Sequence, residues 1–518
     1  MALYSSGRAR RSLIDTIAFR MVSQLATVLG FVVLVRGMSK EDFSVVSLLY
    51  AFVPVVSTVA SLGLEQVLRR FQPDYLQAGN AAGAAWLVRF VASARFGANI
   101  VLLALIVLAW NHVAPLFKLL PYRAEFLVLC VLILVHFQAR ILEIALSANM
   151  LHRYGVGAMA VVAVLKASGY ALVVAFGHLT VENVLVVDTL AFLVAYVMMR
   201  RAYMRLGAGG AGSSRYRPDA TQRRRLLRYG LFNNFNDAGT LLLNSRVDSF
   251  FIAALLQPLS VGIYAFYTRL VDMTQNLMPT RFFESVVQPM LFALPRTEAD
   301  RKLPLYLSFL LNMNLLLLWP VLTYAVLCHA EIVLVVFGGK FVEHSHLLPL
   351  IAGFAMVNSI AVPVTLVAQY EEKAGVILLS KVFGLANIAG MLALVPVFGV
   401  TGAVVASGTA QAIKNVFIWW HVRQRARWVN ARSALLAGAG LWGMVVLLGT
   451  LVKSGSEQRP LVSLGTVGLL VAGAVLLHVR GPALAESDRT ILASVTRGRE
   501  ASLLRRLGLL RLDVESGR

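Results

Sequence analysis

Apolar residues along this chain gather into runs of about 20 or more, long enough to cross a bilayer as helices, with short polar intervals between them. Six runs come first, near 13–36, 41–62, 86–111, 124–149, 155–177 and 181–203. After a polar interval follow 226–256, 261–285, 304–327, 346–369, 375–397 and 400–422, and then 433–452 and 461–479. The pattern predicts an all-α polytopic membrane protein of about 14 transmembrane helices. It divides into two six-helix halves around a central cavity, with two further C-terminal helices. The expected boundaries are 1–206 for the first half, 207–225 for a cytoplasmic linker, 226–425 for the second half, 426–480 for the extra pair and 481–518 for a tail. GAGGAGSS (Gly207–Ser214) followed by Arg223, Arg224 and Arg225 makes the linker flexible and basic.

One run departs from uniform apolarity. In the stretch after Tyr229, the residues Asn233, Asp237, Thr240, Asn244 and Asp248 follow one another at steps of four, three, four and four. That spacing sets them on one stripe of a helix. Carboxylates and amides are costly in lipid, so the stripe is expected to face a bundle interior or a watery cavity, as along a transport path.

The halves echo each other. EDFSVVSLLYAF (Glu41–Phe52) lies without a gap on LSVGIYAFYTRL (Leu259–Leu270), so that Ser44 aligns with Gly262. Repeated halves with a site between them are a recurring transporter plan.

A helix with a late Asp248, a short turn and then VGIYAF (Val261–Phe266) resembles the start of the second half of bacterial polysaccharide flippases. These belong to a superfamily with the lipid II flippase and the multidrug and toxin extrusion transporters. A helix-starting Gly-x-Tyr pattern is kept in the second copy by Gly262 and Tyr264, while the first copy has Ser44 in place of the glycine. VVFGGKFVEHSHLLPLI (Val335–Ile351) and VPVFGVTGAVVASGTAQ (Val395–Gln411), with Gly399 and Gly402, extend the resemblance over roughly residues 12–425. The resemblance implies translocation of an undecaprenyl-pyrophosphate-linked glycan from the cytoplasmic to the periplasmic leaflet, for O-antigen, capsule or exopolysaccharide. It further implies no covalent chemistry, no cofactor other than a coupling ion (proton or sodium), and halves that rock about the cavity. Other polysaccharide synthesis and export proteins are the expected partners.

Composition agrees with membrane residence: 58% of the 518 residues are hydrophobic and 14% charged. The net charge of +22 sits mainly between apolar runs and sets topology, with no nucleic-acid motif beside it. Arg8, Arg10 and Arg11, then Arg69 and Arg70, the linker, Arg301 and Lys302, and Arg423, Arg425 and Arg427 fall on alternate connections. By the positive-inside rule both termini are cytoplasmic, and the resemblance implies a multi-pass protein of the bacterial inner membrane. The tail segment Leu503–Leu512 reads as an amphipathic helix on the anionic leaflet. Cys130 and Cys328 suggest neither a disulfide framework nor a metal site.

Charges within the runs supply the candidate site. The cations Arg20, Arg95, Lys166, Arg246, Arg269 and Lys414 are the expected substrate-binding residues: arginine takes phosphate through paired hydrogen bonds, and lysine acts as a point charge. Arg89 and Lys381 lie near helix ends and either snorkel or join them. Arg140 with Glu143, and Arg269 with Asp272, are spaced to pair on one face. Such a pair fixes packing as readily as it serves function. Asp237 and Asp248 are the candidates for ion coupling; the alternative is that they pair with Arg246 or Arg20 and hold the bundle together.

No phosphate loop, HExxH or GxSxG pattern is present. His329, Glu331, Glu343, His344 and His346 match no metal-ligand spacing and read as loop residues. Two rival functions remain. A glycan polymerase or ligase would need a large external loop, and every external connection here is short. A cation-coupled drug exporter would favour an acidic cavity.

Overall fold

The computed structural model describes residues 6–207, 216, 218–276, 296–426, 431–455, 459–480 and 488–489. Among them there is no β-strand. The helices are α1 (Ser6–Gly37), α2 (Lys40–Val59), α3 (Leu64–Gln77), α4 (Ala81–Leu108), α5 (Trp110–Leu116), α6 (Arg123–Ala148), α7 (His152–Phe176) and α8 (Val181–Leu206). They continue as α9 (Ala220–Leu241), α10 (Ser245–Leu255), α11 (Pro258–Asn276), α12 (Arg296–Phe337), α13 (Leu347–Tyr370), α14 (Ala374–Leu379), α15 (Phe383–Ala426), α16 (Ala431–Gly455) and α17 (Pro460–Arg480). Ten helices among the described residues are long and apolar enough to cross a membrane, with a shorter apolar stretch at Gly438–Ser454. The chain is an all-α polytopic membrane protein.

Local chemistry explains where the helices start. The Ser39 side chain accepts from the Asp42 backbone N–H, with Glu41 and Asp42 in the first turn of α2; Asn80 and Thr180 cap α4 and α8 in the same way. Each cap satisfies a backbone donor that no earlier turn can reach.

Four local expectations need correction. The span expected as one helix over 226–256 is two, because the chain leaves the helix after Leu241 and Asn244 restarts it as the cap of α10. The Asn244 side chain accepts from the Arg246 N–H at 2.9 Å, an alternative to the helical ladder that asparagine readily offers. Arg223, Arg224 and Arg225 are helical rather than part of a linker, since Asp219 caps α9 at Gln222 N (2.6 Å). The stretch holding Arg69 and Arg70 is the amphipathic helix α3, which buries Leu64, Val67, Leu68 and Phe71 and pairs Arg70 with Asp74 at 2.9 Å. The runs 375–397 and 400–422 are continuous but for Gly399, whose φ of 58° and ψ of −137° kink α15 where the sequence places a turn. The C-terminal part of the run 261–285 and the amphipathic segment 503–512 lie outside the described residues.

The chain divides into two compact units, Met1–Ala265 with Met391–Val400, and Phe266–Gly390 with Thr401–Arg518. In the first, α1 packs on α7, α6 packs on α7 and α8, α9 lies against α2 and α3, and α10 lies against α2. Leu68, Leu87, Val91, Ile141, Ala145 and Met199 are among the residues of its core. In the second, α12 packs against α13, α16 and α17. Lys453 of α16 pairs with Glu331 at 2.6 Å and donates to the Leu327 carbonyl at 2.7 Å, and Tyr324 donates to the Leu464 carbonyl of α17 at 3.1 Å.

Candidate functional site

A close approach of two glycines builds the site. Gly63, in the turn between α2 and α3, has a φ of +65°, and a β-carbon there would lie 1.8 Å from the Gly230 carbonyl oxygen of α9. No side chain fits in that gap. Beside it Ser61 Oγ donates to Asn234 Oδ1 at 3.0 Å. Farther along the two segments a cavity of about 240 Å³ opens, lined by Pro54, Ser57, Thr58, Ser61 and Glu65 on one side and Asp237, Thr240, Leu241 and Asn244 on the other. Hydroxyl, carboxylate and amide groups thus converge where α2, α3 and α9 meet, sheltered from lipid that could not receive them.

The polar stripe divides at the break between α9 and α10. Asp237, Thr240 and Asn244 line the cavity. Asp248, on α10, is fully buried and accepts from the Tyr264 hydroxyl at 2.8 Å.

Two of the expected substrate-binding cations have carboxylate partners on other helices. Arg95 is 0% exposed. Its guanidinium donates to Glu65, reaches Ser57 Oγ at 3.2 Å and lies 4.5 Å from the centre of the Phe137 ring. Arg140 pairs with Glu143 at 2.6 Å and stands 4.0 Å from Glu65. Glu65 therefore enters the cavity wall with two arginines behind it. Lys166 meets Asp188 at 2.5 Å, and the hydroxyls of Tyr50 and Tyr170 donate to the same buried carboxylate. Pairing of this kind offsets much of the cost of charge at membrane depth.

Arg246 is exposed near the start of α10, and Arg20 on α1 is partly exposed. In the second unit Arg269 on α11 and Lys414 on α15 are half-buried.

Sequence reading did not single out Glu65, Ser57, Thr58 or Ser61. A weak signal was present: after Pro54 the polar residues 57, 58, 61 and 65 recur at helical spacing. The pairings of Arg95 with Glu65 and of Lys166 with Asp188 carried none, since spacing along one helix is blind to contacts across helices.

A family model described as polysaccharide biosynthesis protein matches residues 33–346, more than half of the chain. The chain belongs to the polysaccharide biosynthesis protein family. No curated protein sequence matches this family member significantly. Among solved structures it is similar to the lipid II flippase MurJ in an inward closed conformation, at 12% identity and a TM-score of 0.66, over 93% of this chain and 99% of that one. It is similar also to an inward-facing multidrug resistance MATE family transporter of the MOP superfamily, at 12% identity and a TM-score of 0.64, over 81% of this chain and 99% of that one. At such identities the likeness is one of fold, and it covers nearly the full length of both solved structures.

Proposed function

We propose that this polysaccharide biosynthesis protein is a flippase that moves an undecaprenyl-pyrophosphate-linked oligosaccharide across the bacterial inner membrane, toward O-antigen, capsule or exopolysaccharide. The observation that carries the reading is a polar cavity where the apolar span α2 meets α3 and α9 in a polytopic membrane chain of this family. Sugar hydroxyls need hydrogen-bonding groups on their way through a bilayer, whereas a prenyl chain is at home in lipid. Ser57, Thr58, Ser61, Thr240 and Asn244 supply groups of that kind.

In this reading the cations have two duties. Arg95 and Lys166 position Glu65 and Asp188; Arg20 and Arg246 of the first unit, and Arg269 and Lys414 of the second, are each substrate-binding cations in this reading. Asp237, in the cavity wall, and Asp248, held by Tyr264, exchange the proton or sodium ion that drives the cycle. Both termini face the cytoplasm, no bond is made or broken, and the partners are other synthesis and export proteins of the same polymer.

Glu65 and Asp237 in one cavity favour a second reading, a cation-coupled exporter of cationic drugs. Deletion of the gene separates the two. The flippase reading expects undecaprenyl-linked repeat units to accumulate on the cytoplasmic leaflet and surface polysaccharide to be lost. Normal surface polysaccharide together with new sensitivity to cationic drugs would establish the exporter and refute the flippase.

A further inference from the structure

The basic end of α9 borders a second, larger hollow of about 880 Å³. Arg223, Arg224 and Arg228 line it, followed along the same helical face by Leu227, Leu231 and Phe232. None of the three guanidiniums forms an ion pair among the described residues. The first turn of α9 holds no acid, and Asp219 before it is engaged in capping the helix. The leucines and Phe232 are exposed, the phenylalanine to 69%. Going along the helix, the hollow therefore passes from three unpaired cations to apolar surface within a few turns.

That gradient matches one kind of ligand, an anionic head on a hydrocarbon chain. Burying Leu227, Leu231 and Phe232 against a chain removes apolar surface from water, while phosphate oxygens accept paired hydrogen bonds from guanidinium. A phosphodiester lipid carries one negative charge, whereas two linked phosphoryl groups on one chain offer more charge and enough oxygens to engage several guanidiniums at once.

We propose that this hollow is a docking site for a prenyl diphosphate lipid, separate from the cavity at Glu65 and Asp237. The site rests on the flippase reading for its biological role: it receives the lipid diphosphate head of the glycan carrier at the membrane surface before entry. Its binding chemistry stands without that reading. Positive charge on this connection places it on the cytoplasmic side, where the carrier is loaded.

The test is binding of labelled farnesyl diphosphate to the purified full-length chain in detergent, with inorganic pyrophosphate and phosphatidylglycerol as competitors. Saturable binding is expected, with weak competition from either competitor. The triple variant R223A/R224A/R228A should bind about tenfold more weakly or worse, and Leu231→Ser with Phe232→Ser should weaken farnesyl diphosphate without changing the weak pyrophosphate competition. Should the alanine triple not fold, R223K/R224K/R228K keeps the charge and loses the fork, and a several-fold weakening is expected. Unchanged affinity in the folded charge variant, or phosphatidylglycerol competing as well as farnesyl diphosphate, overturns the proposal. Glycan export by the same variants is measured separately, so that a failed site and a failed flippase reading give different results.

Discussion

Ser44 packs directly against Gly262, at the aligned positions of the two repeated segments. A β-carbon on residue 262 would lie 1.9 Å from Ser44 Oγ, 2.9 Å from its Cβ and 3.1 Å from its Cα. Ser44 Oγ donates to the Lys40 carbonyl at 2.6 Å and approaches the Leu259 carbonyl at 3.5 Å. The two repeated segments thus meet at aligned positions, and the copy with a side chain there fits because the other has none.

Gly262→Ala is therefore expected to destabilise the protein by about 1–3 kcal/mol through overpacking. Ser44→Gly in the same chain should restore much of the loss. Thermal unfolding of the two single variants and the double measures the coupling, and strictly additive effects would show that the contact is not what excludes alanine.

Glu65 and Arg95 form a pair in which one member has no exposed surface. Glu65→Gln should cost about 3–5 kcal/mol by leaving the Arg95 charge buried and uncompensated. Glu65→Gln combined with Arg95→Met is expected to recover stability relative to Glu65→Gln alone. A double variant less stable than the single one would mean that Glu65 does not hold Arg95 in place.

Asp237 lies in the cavity wall and Asp248 behind it, hydrogen-bonded to Tyr264. If they carry the coupling ion, Asp237→Asn and Asp248→Asn each change the response of polymer export to pH or sodium by about tenfold or more, within the usual range of site-to-site coupling. Membrane abundance should be unchanged in Asp237→Asn. An unaltered pH and sodium profile in both variants would leave the two acids as packing residues.

Arg246 and Arg269 are each proposed as substrate-binding cations. Their alanine variants are expected to lower export without lowering membrane abundance, whereas Arg95→Ala should lower abundance first. Full export from both Arg246→Ala and Arg269→Ala would take the two residues off the substrate path.

Lys453 ties α16 to α12 through Glu331 and the Leu327 carbonyl. Lys453→Met should destabilise the second unit by about 1–3 kcal/mol, because Glu331 is left largely buried without its partner while the lysine itself is partly exposed. Differential scanning in detergent reads the shift, and an unchanged melt would show that apolar packing alone seats α16.

The helices were legible in the sequence because lipid imposes one rule on every span: about 20 apolar residues with the backbone paired internally. The break at 242–244 obeys a weaker local signal, an asparagine that caps as readily as it continues a helix, and periodicity carried straight across it. The candidate site was half legible. Asp237, Thr240 and Asn244 stood out because polar residues on one stripe are rare in an apolar run. Glu65 did not, because it follows a glycine turn and begins an amphipathic helix, where an acid is ordinary at the N-terminus. Arg95 and Lys166 stood out as cations without acids nearby in sequence. Their partners, Glu65 and Asp188, come from α3 and α8, a relation that only the packing of helices reveals.

The break between α9 and α10 also bears on how the protein is assembled. A helix that leaves its own ladder at membrane depth cannot satisfy all its backbone groups alone, and lipid supplies no substitute. This span is then no autonomous unit of insertion. α9 packs against α2 and α3, and α10 against α2, all made earlier in the same chain, so that the first helices offer the surface on which α9 and α10 are completed.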